Sequence, residues 1–304
     1  MKCLLPAAFI AVTALPVAAF DRMTHQACRA SFERLTELIK PNDSGSPSEL
    51  RFISVTTDRW CQITAGDPEF ETASFTELEW RMDGTLLWTE GAVPPLGLQV
   101  RVRGLDPDEM QGGVRTDRPT VSVDVTLRQE PAAGQVIVER AVMQNDAGDS
   151  LAVSGVFERV FLSSPSMMQV SMGSATFKAG LMSMTLEGSY ENPFGFYIDV
   201  EMRGVPQAQR DAAFDLISRL PDGLISDASC AEIGGFAGEL PKPVGTLEVS
   251  VVSERGLGLM QIGSSFFASA WKNNEDDEMR NEWEILLDGL LINADWSPAG
   301  KVAE

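Results

Sequence analysis

The chain has 304 residues, 44% of them apolar, and carries 24 basic against 44 acidic residues for a net charge of −20. That acidity argues against a nucleic-acid binder, which needs a basic face to displace counterions, and against attraction to anionic lipid headgroups. The apolar fraction is ample for a core, and the length suits one large β domain or two smaller ones.

The chain opens with one positive charge, Lys2, followed by an apolar run from Leu4 to Val17 and the small residues Ala18 and Ala19. Charged, apolar and cleavage regions in that order predict a secretory signal over 1–19, with the mature chain starting at Phe20. The run is shorter than the roughly 20 residues of a membrane-spanning helix and is broken by Pro6 and Pro16. No later stretch has the length of a transmembrane helix. The expected compartment is therefore periplasmic or extracellular. Without Lys2 the mature chain has 23 basic and 44 acidic residues, or −21.

Cys3 belongs to the signal, which leaves Cys28, Cys61 and Cys230. Their spacing matches no zinc pattern. An exported chain oxidises what it can. Cys28 and Cys61 share the N-terminal subregion and are expected to pair, leaving Cys230 as a buried thiol or an intermolecular partner.

Thr24 to Lys40 has a helical repeat, with Cys28, Phe32, Leu35 and Leu38 or Ile39 on one stripe. Pro41 to Gly45 ends it. From Leu50 the period changes to two. Strands are expected at 52–57, 60–64, 75–82, 85–89, 98–103, 121–127, 135–144, 151–162, 167–172, 176–177, 181–186 and 196–202. Asp83-Gly84 reads as a hairpin turn between two of them, and 145–149 as a longer hairpin loop. The helical period returns at 205–220, with Ala212, Ala213, Leu216, Ile217 and Leu220 on one stripe. A glycine- and proline-rich loop follows, through Gly234, Gly235, Gly238 and Pro241 to Pro243. Strands resume at 246–253, 257–262 and 266–271. A last hairpin turns at Asp288-Gly289, with Leu287 facing Leu290, Ile285 facing Ile292, Trp283 facing Ala294, and Trp296 beyond. One face of that hairpin is apolar and the other carries Glu282, Glu284, Asn293 and Asp295. Val100 to Leu105 and Val200 to Val205 share the same strand-end pattern, which suggests either a duplication or a common turn grammar.

The expected fold is mainly β: an antiparallel meander forming a curved sheet or sandwich, with an N-terminal helix and one internal helix, α+β by count. The expected organisation is signal 1–19, helix and loop 20–48, β-rich region 49–204, then helix and β-meander 205–304, packed together as one large domain.

The chemistry is sparse. His25 is the one histidine and stands beside the first helix with no nucleophile pattern around it. One histidine and three scattered cysteines do not make a transition-metal site. No Gly-rich phosphate loop occurs, Gly256-Leu257-Gly258 included. No catalytic residue, metal site or cofactor is expected. Calcium would have only the oxygen-rich turns 145–149 and 106–109, and neither has the spacing of a calcium loop. The acidic run 273–278 reads as a solvated loop.

The remaining signal is apolar. Met167, Met168, Met172, Met182 and Met184 crowd what read as two neighbouring strands, with Phe177 between. Methionine makes adaptable apolar surface, so Met168, Met172, Phe177, Met182 and Met184 are the candidate lining of a groove. The reading that follows is a non-catalytic exported protein binding a lipid-like ligand or an envelope protein partner. A secreted hydrolase working with two carboxylates is the alternative, and a calcium-stabilised structural module the second.

Overall fold

The computed structural model describes residues 20–39, 53–64, 75–91, 93–105, 120–187, 211, 223–239, 243–258, 287 and 289–299. Expectations for 1–19, 106–109, 200–210, 212–220, 259–286 and the loop 273–278 fall outside them.

Ten strands form one antiparallel sheet, each paired with its neighbours in sequence. They are β1 (Ser54–Val55), β2 (Cys61–Thr64), β3 (Glu77–Asp83), β4 (Gly97–Leu105), β5 (Val121–Glu130), β6 (Gln135–Asn145), β7 (Ser150–Glu158), β8 (Thr176–Glu187), β9 (Val244–Gly258) and β10 (Leu290–Pro298). The meander is thus the β-rich fold that the period-two pattern predicts. Strands before and after residue 205 share this sheet.

Four helices accompany it among the described residues: α1 (His25–Ile39), α2 (Thr85–Thr89), α3 (Pro165–Ser174) and α4 (Asp227–Glu239). Helix α1 begins where Thr24 Oγ1 accepts the Ala27 N–H at 3.2 Å, an N-cap that satisfies one of the free donors of the first turn. Its inward stripe brings Cys28 to Cys61, and the two are bridged, with 5.3 Å between their Cα atoms. Met23, Cys28, Ile53, Cys61, Ile63, Trp80 and Met82 form a buried cluster beneath it. Ser31 ties it together: its hydroxyl accepts from Trp80 Nε1 at 2.9 Å, and its carbonyl accepts from Trp88 Nε1 at 3.1 Å.

Three expectations are corrected. Asp83-Gly84 does not turn a hairpin into a strand at 85–89. Gly84 takes φ 74° and leads into α2, because Asp21 accepts the Thr85 N–H at 2.8 Å and Trp88 turns onto α1. Residues 167–172 are helical in α3, not a strand. Ser164 caps the helix by accepting the Met167 N–H, and Pro165 stands in its first turn. Met168 and Met172 are separated by four residues, a spacing that fits both periods, so parity alone does not decide. The glycine-rich stretch expected as loop is α4. Ser226 Oγ accepts the Ser229 N–H, and Gly234, Ala237 and Gly238 are buried in a close helix-to-sheet contact.

The last strand shows the alternation expected of it. Leu290 and Trp296 are buried and Ile292 and Ala294 half-buried, while Leu291, Asn293, Asp295 and Ser297 are exposed. Its described partner is β9, Leu290 opposite Ser253 and Trp296 opposite Leu247; the partner strand expected at 283–286 lies outside the described residues. On its other edge the Ile292 N–H donates to Leu224 O at 2.9 Å. The Ala294 N–H donates to Ser229 Oγ at 3.0 Å and the Trp296 N–H to Glu232 at 3.2 Å. The turn itself is present, with the Leu290 N–H on Leu287 O at 2.9 Å.

Candidate functional site

In an antiparallel sheet, directly opposed residues point to the same face. Following the register strand by strand therefore sorts the side chains. One line runs Ile63, Leu78, Val102, Val123, Met143, Leu151, Met184, Leu247, Trp296. The next line on that face runs Cys61, Trp80, Val100, Val125, Ala141, Val153, Met182, Val249, Ala294. A third runs Met82, Leu98, Leu127, Val138, Gly155, Gly180, Val251, Ile292. Every position is apolar or glycine. Val136, Phe157, Phe177 and Leu257 close the face at one end of strands β6 to β9.

The face is covered at its two flanks. α1 lies over β1–β4 with the cluster around Cys28, and α4 lies beside β10, where Met184, Leu186, Leu247 and Trp296 are buried with Phe236 packed against them. Between the flanks the same lines are only half-buried: Val102, Val123, Val125, Met143 and Leu151 are intermediate, and Val153 is 39% exposed. Among the described residues no helix lies over the middle of the sheet, and at ~4.8 Å per strand the stretch between β4 and β8 is about 19 Å across.

The opposite face is polar over much of the sheet. Its central line reads Gln62, Glu79, Arg101, Asp124, Val142, Ala152, Ser183, Glu248, Asp295. Arg101 meets Asp124 at 3.3 Å and Glu79 at 3.8 Å. Trp60 carries two guanidinium groups, Arg101 at 4.0 Å and Arg81 at 4.4 Å from its ring centre. Burial, and then the charge of Arg101, holds Arg81 below its ordinary value, opposed by Asp58.

The candidate groove residues divide. Met182 and Met184 stand on β8 in the apolar lines, and Phe177 closes the face at its end. Phe177 packs edge-on to Phe157, 5.8 Å between centres, and leans on the glycine pair: a Cβ at Gly180 would lie 3.0 Å from its ring. Met168 and Met172 are in α3, beyond the strand ends. Met184, eight residues into β8 from Thr176, is about 27 Å along the strand at ~3.4 Å per residue. The five residues therefore do not form one lining. Met143, Leu151 and Val153 belong to the face and were not among the candidates. Their alternation was visible in sequence, but their union with Met182 and Met184 depends on register.

Other candidates have plain structural roles. In the turn after β6, Asp149 is buried; it accepts from Asn145 Nδ2 at 3.0 Å and from the Glu187 N–H at 2.8 Å. That carboxylate holds the hairpin and the end of β8 together. Among the described residues no group of three or more His, Cys, Asp or Glu is placed to hold a metal ion. No described helix is long and apolar enough to cross a membrane. His25 is exposed in the first turn of α1, and Cys230 is a free thiol in α4. Comparison with known proteins finds no matching family model, no matching curated protein and no matching solved structure.

Proposed function

We propose that this chain is an exported, non-catalytic carrier that seats the acyl chain of a lipid-like ligand on the apolar face of its sheet. One observation carries the reading: three consecutive cross-strand lines are apolar across the sheet, yet the part between the helix-covered flanks keeps its side chains half-exposed. An apolar area of that kind on a soluble protein marks an interaction site. Its width of about 19 Å compares with about 15 Å for one leaflet of hydrocarbon, half of a bilayer core of about 30 Å. Export is supported by the order of residues 1–19 and by the Cys28–Cys61 disulfide. N-terminal sequencing of the exported protein should begin at Phe20; an intact Met1 on reduced, cytoplasmic protein would remove the export part of the reading.

The binding test uses a fluorescent fatty acid. The native protein should bind it, and Val153→Asp should lose binding while keeping a native circular dichroism spectrum, because Val153 is the most exposed residue of the lines. Met184→Asp should unfold the protein instead, since Met184 is 7% exposed and a buried unpaired charge is expensive. No binding by the native protein sinks the carrier reading.

An envelope protein partner is the second reading, favoured by a separate patch. On the polar face Leu181, Val252 and Leu291 are 45%, 39% and 46% exposed, and Val252 stands directly between Ala179 and Leu291. A photo-crosslinker at Leu181 that captures one envelope protein, with none captured from Thr64, supports it; equal capture at both positions counts against it.

A further inference from the structure

The polar face is not uniform. The row that runs from Gln99 on β4 to Asn293 on β10, and the row beside it from Gly97 to Leu291, contain no Asp or Glu, in a chain with 44 acidic residues. Carboxylates border this band instead. Asp124, Glu248 and Asp295 stand in the row on one side of it, and Glu130 and Glu158 in the row on the other. Glu139, in the bulge of β6 beside Arg140, is taken by Arg128 at 2.7 Å. The band changes character along its length. On β5 and β6 it is basic, through Arg128 and Arg140. Arg140 is exposed, and among the described residues it meets no carboxylate. On β8 to β10 the band is apolar, with Leu181, Val252 and Leu291 exposed.

We propose that this band binds a short segment of a partner protein, one that brings a carboxylate to Arg140 and apolar side chains to Leu181, Val252 and Leu291. The inference rests on the envelope-partner reading and gives that partner its chemistry. Charge complementarity fixes the acidic group. In a chain of net charge −20, an exposed guanidinium with no carboxylate of its own is a place where a partner's carboxylate gains a charge-assisted hydrogen bond. The bordering carboxylates repel the same group on either side, so they set its position. Spacing fixes the apolar groups. Arg140 on β6 and Leu181 on β8 are two strand spacings apart, or about 10 Å. In an extended segment, side chains on one side recur about every 6.8 Å, so an acidic residue over Arg140 puts residues two and four places on over the Leu181–Val252 patch. Area fixes the size of the occupant. From β4 to β10 the band is about 29 Å long, and its two rows make it about 14 Å wide, or about 400 Å². A stable dimer buries about 800 Å² on each partner. The band therefore suits a peptide segment and not a second copy of this acidic chain, which like charge also repels.

The test is an NMR titration of the full chain with a capped peptide, Ser-Glu-Ser-Leu-Ser-Leu-Ser. The side-chain N–H signal of Arg140 and the methyl signals of Leu181, Val252 and Leu291 should shift and saturate together. The same peptide with lysine in place of glutamate should not bind. Arg140→Glu should bind the acidic peptide at least about tenfold more weakly, since it loses a charge-assisted hydrogen bond. Its circular dichroism should stay native because the site is exposed. Val153→Asp, on the opposite face, should bind the peptide as wild type does. No saturable shift in wild type, equal binding of the lysine peptide, or undiminished binding by Arg140→Glu each overturns the proposal. So does a concentration-dependent loss of the Leu181 and Leu291 signals without peptide, which would put a second copy on the band. The partner reading is scored separately by the photo-crosslinker at Leu181. Capture of one envelope protein there, with no peptide binding, keeps the partner and removes the chemistry proposed for it.

Discussion

The two flanks of the sheet solve the same problem by different means. Both bury the apolar face beneath a helix. At the first flank α1 is held covalently, through Cys28–Cys61, and by Trp80 and Trp88 on Ser31. At the second flank α4 has no covalent tie among the described residues. It is held by Trp296, whose ring packs edge-on to Phe236 at 5.1 Å, and by side chains that accept from the outer edge of β10. The second arrangement does two jobs at once. It buries apolar area, and it occupies the free N–H groups that an edge strand would otherwise offer to another chain. Gly235 faces the ring of Trp296, where a Cβ would meet it at an ordinary contact distance of 3.5 Å. Between these flanks the same apolar lines continue with half-exposed side chains, and neither device lies over them among the described residues.

The comparison can be broken at its strongest points first. Trp296→Ala removes the ring that joins α4 to the sheet and should cost about 3–5 kcal/mol by denaturant unfolding, as large-to-small core changes do. A cost below about 1 kcal/mol would mean that α4 does not depend on this contact.

Replacing Cys28 and Cys61 together by serine should cost about 3–4 kcal/mol, from a sequence separation of 33 residues in the chain-entropy estimate. Reductant should destabilise the wild type by a similar amount and leave the serine variant unchanged. An unfolding midpoint indifferent to reductant would count against the bond as a support of the first flank.

In the middle the effects should be small. Val153→Ala lies on the same face as Trp296 but is 39% exposed, so it should change stability by only about 0.5 kcal/mol. A cost approaching that of Trp296→Ala would show the middle to be core, and would refute a ligand surface there.

The smallest effect concerns pH. Burial, and then the nearby charge of Asp21, raises the Asp83 carboxyl above its ordinary value, with the Gly84 N–H opposing. A raised carboxyl pKa means that the folded state favours the proton. Its stabilising contribution is present below the unfolded pKa and is lost as pH rises through the folded one. Asp83→Asn should therefore gain slightly in stability at neutral pH relative to wild type, with the gain vanishing in acid. A gain that grew in acid would reverse the sign.

Much of this molecule is legible in its sequence because the forces involved are local. The 3.6-residue repeat from Thr24 is visible as α1, and its stripe points Cys28 inward. The period-two runs read as strands because successive side chains of an extended chain leave opposite faces. The alternation of β10, with Leu290 and Trp296 in and Asp295 out, follows from the same rule. Local patterns were ambiguous where two periods coincide, as at Met168 and Met172, and misleading where glycine serves contact rather than a turn, as at Gly234, Gly235 and Gly238. Ser164-Pro165 is a helix-start signal in the sequence, and the methionines after it fit a strand as well as a helix.

What only the tertiary structure decided is which rows meet. A strand's alternation says that one of its faces is apolar, but not which neighbour it joins or in what register. Met143, Leu151 and Met184 become one line only because β6, β7 and β8 are paired as they are, across bulges in β6–β7 and β7–β8. The edge of β10 is closed by Leu224, Ser229 and Glu232, more than sixty residues earlier in the chain, and no local periodicity encodes that choice. Composition and spacing determined α1, most of the strands and the disulfide, because those depend on neighbours along the chain. Pairing and edge cover depend on contacts between distant residues, and they decided that, among the described residues, the apolar face is covered by helices at its flanks and half-exposed in its middle.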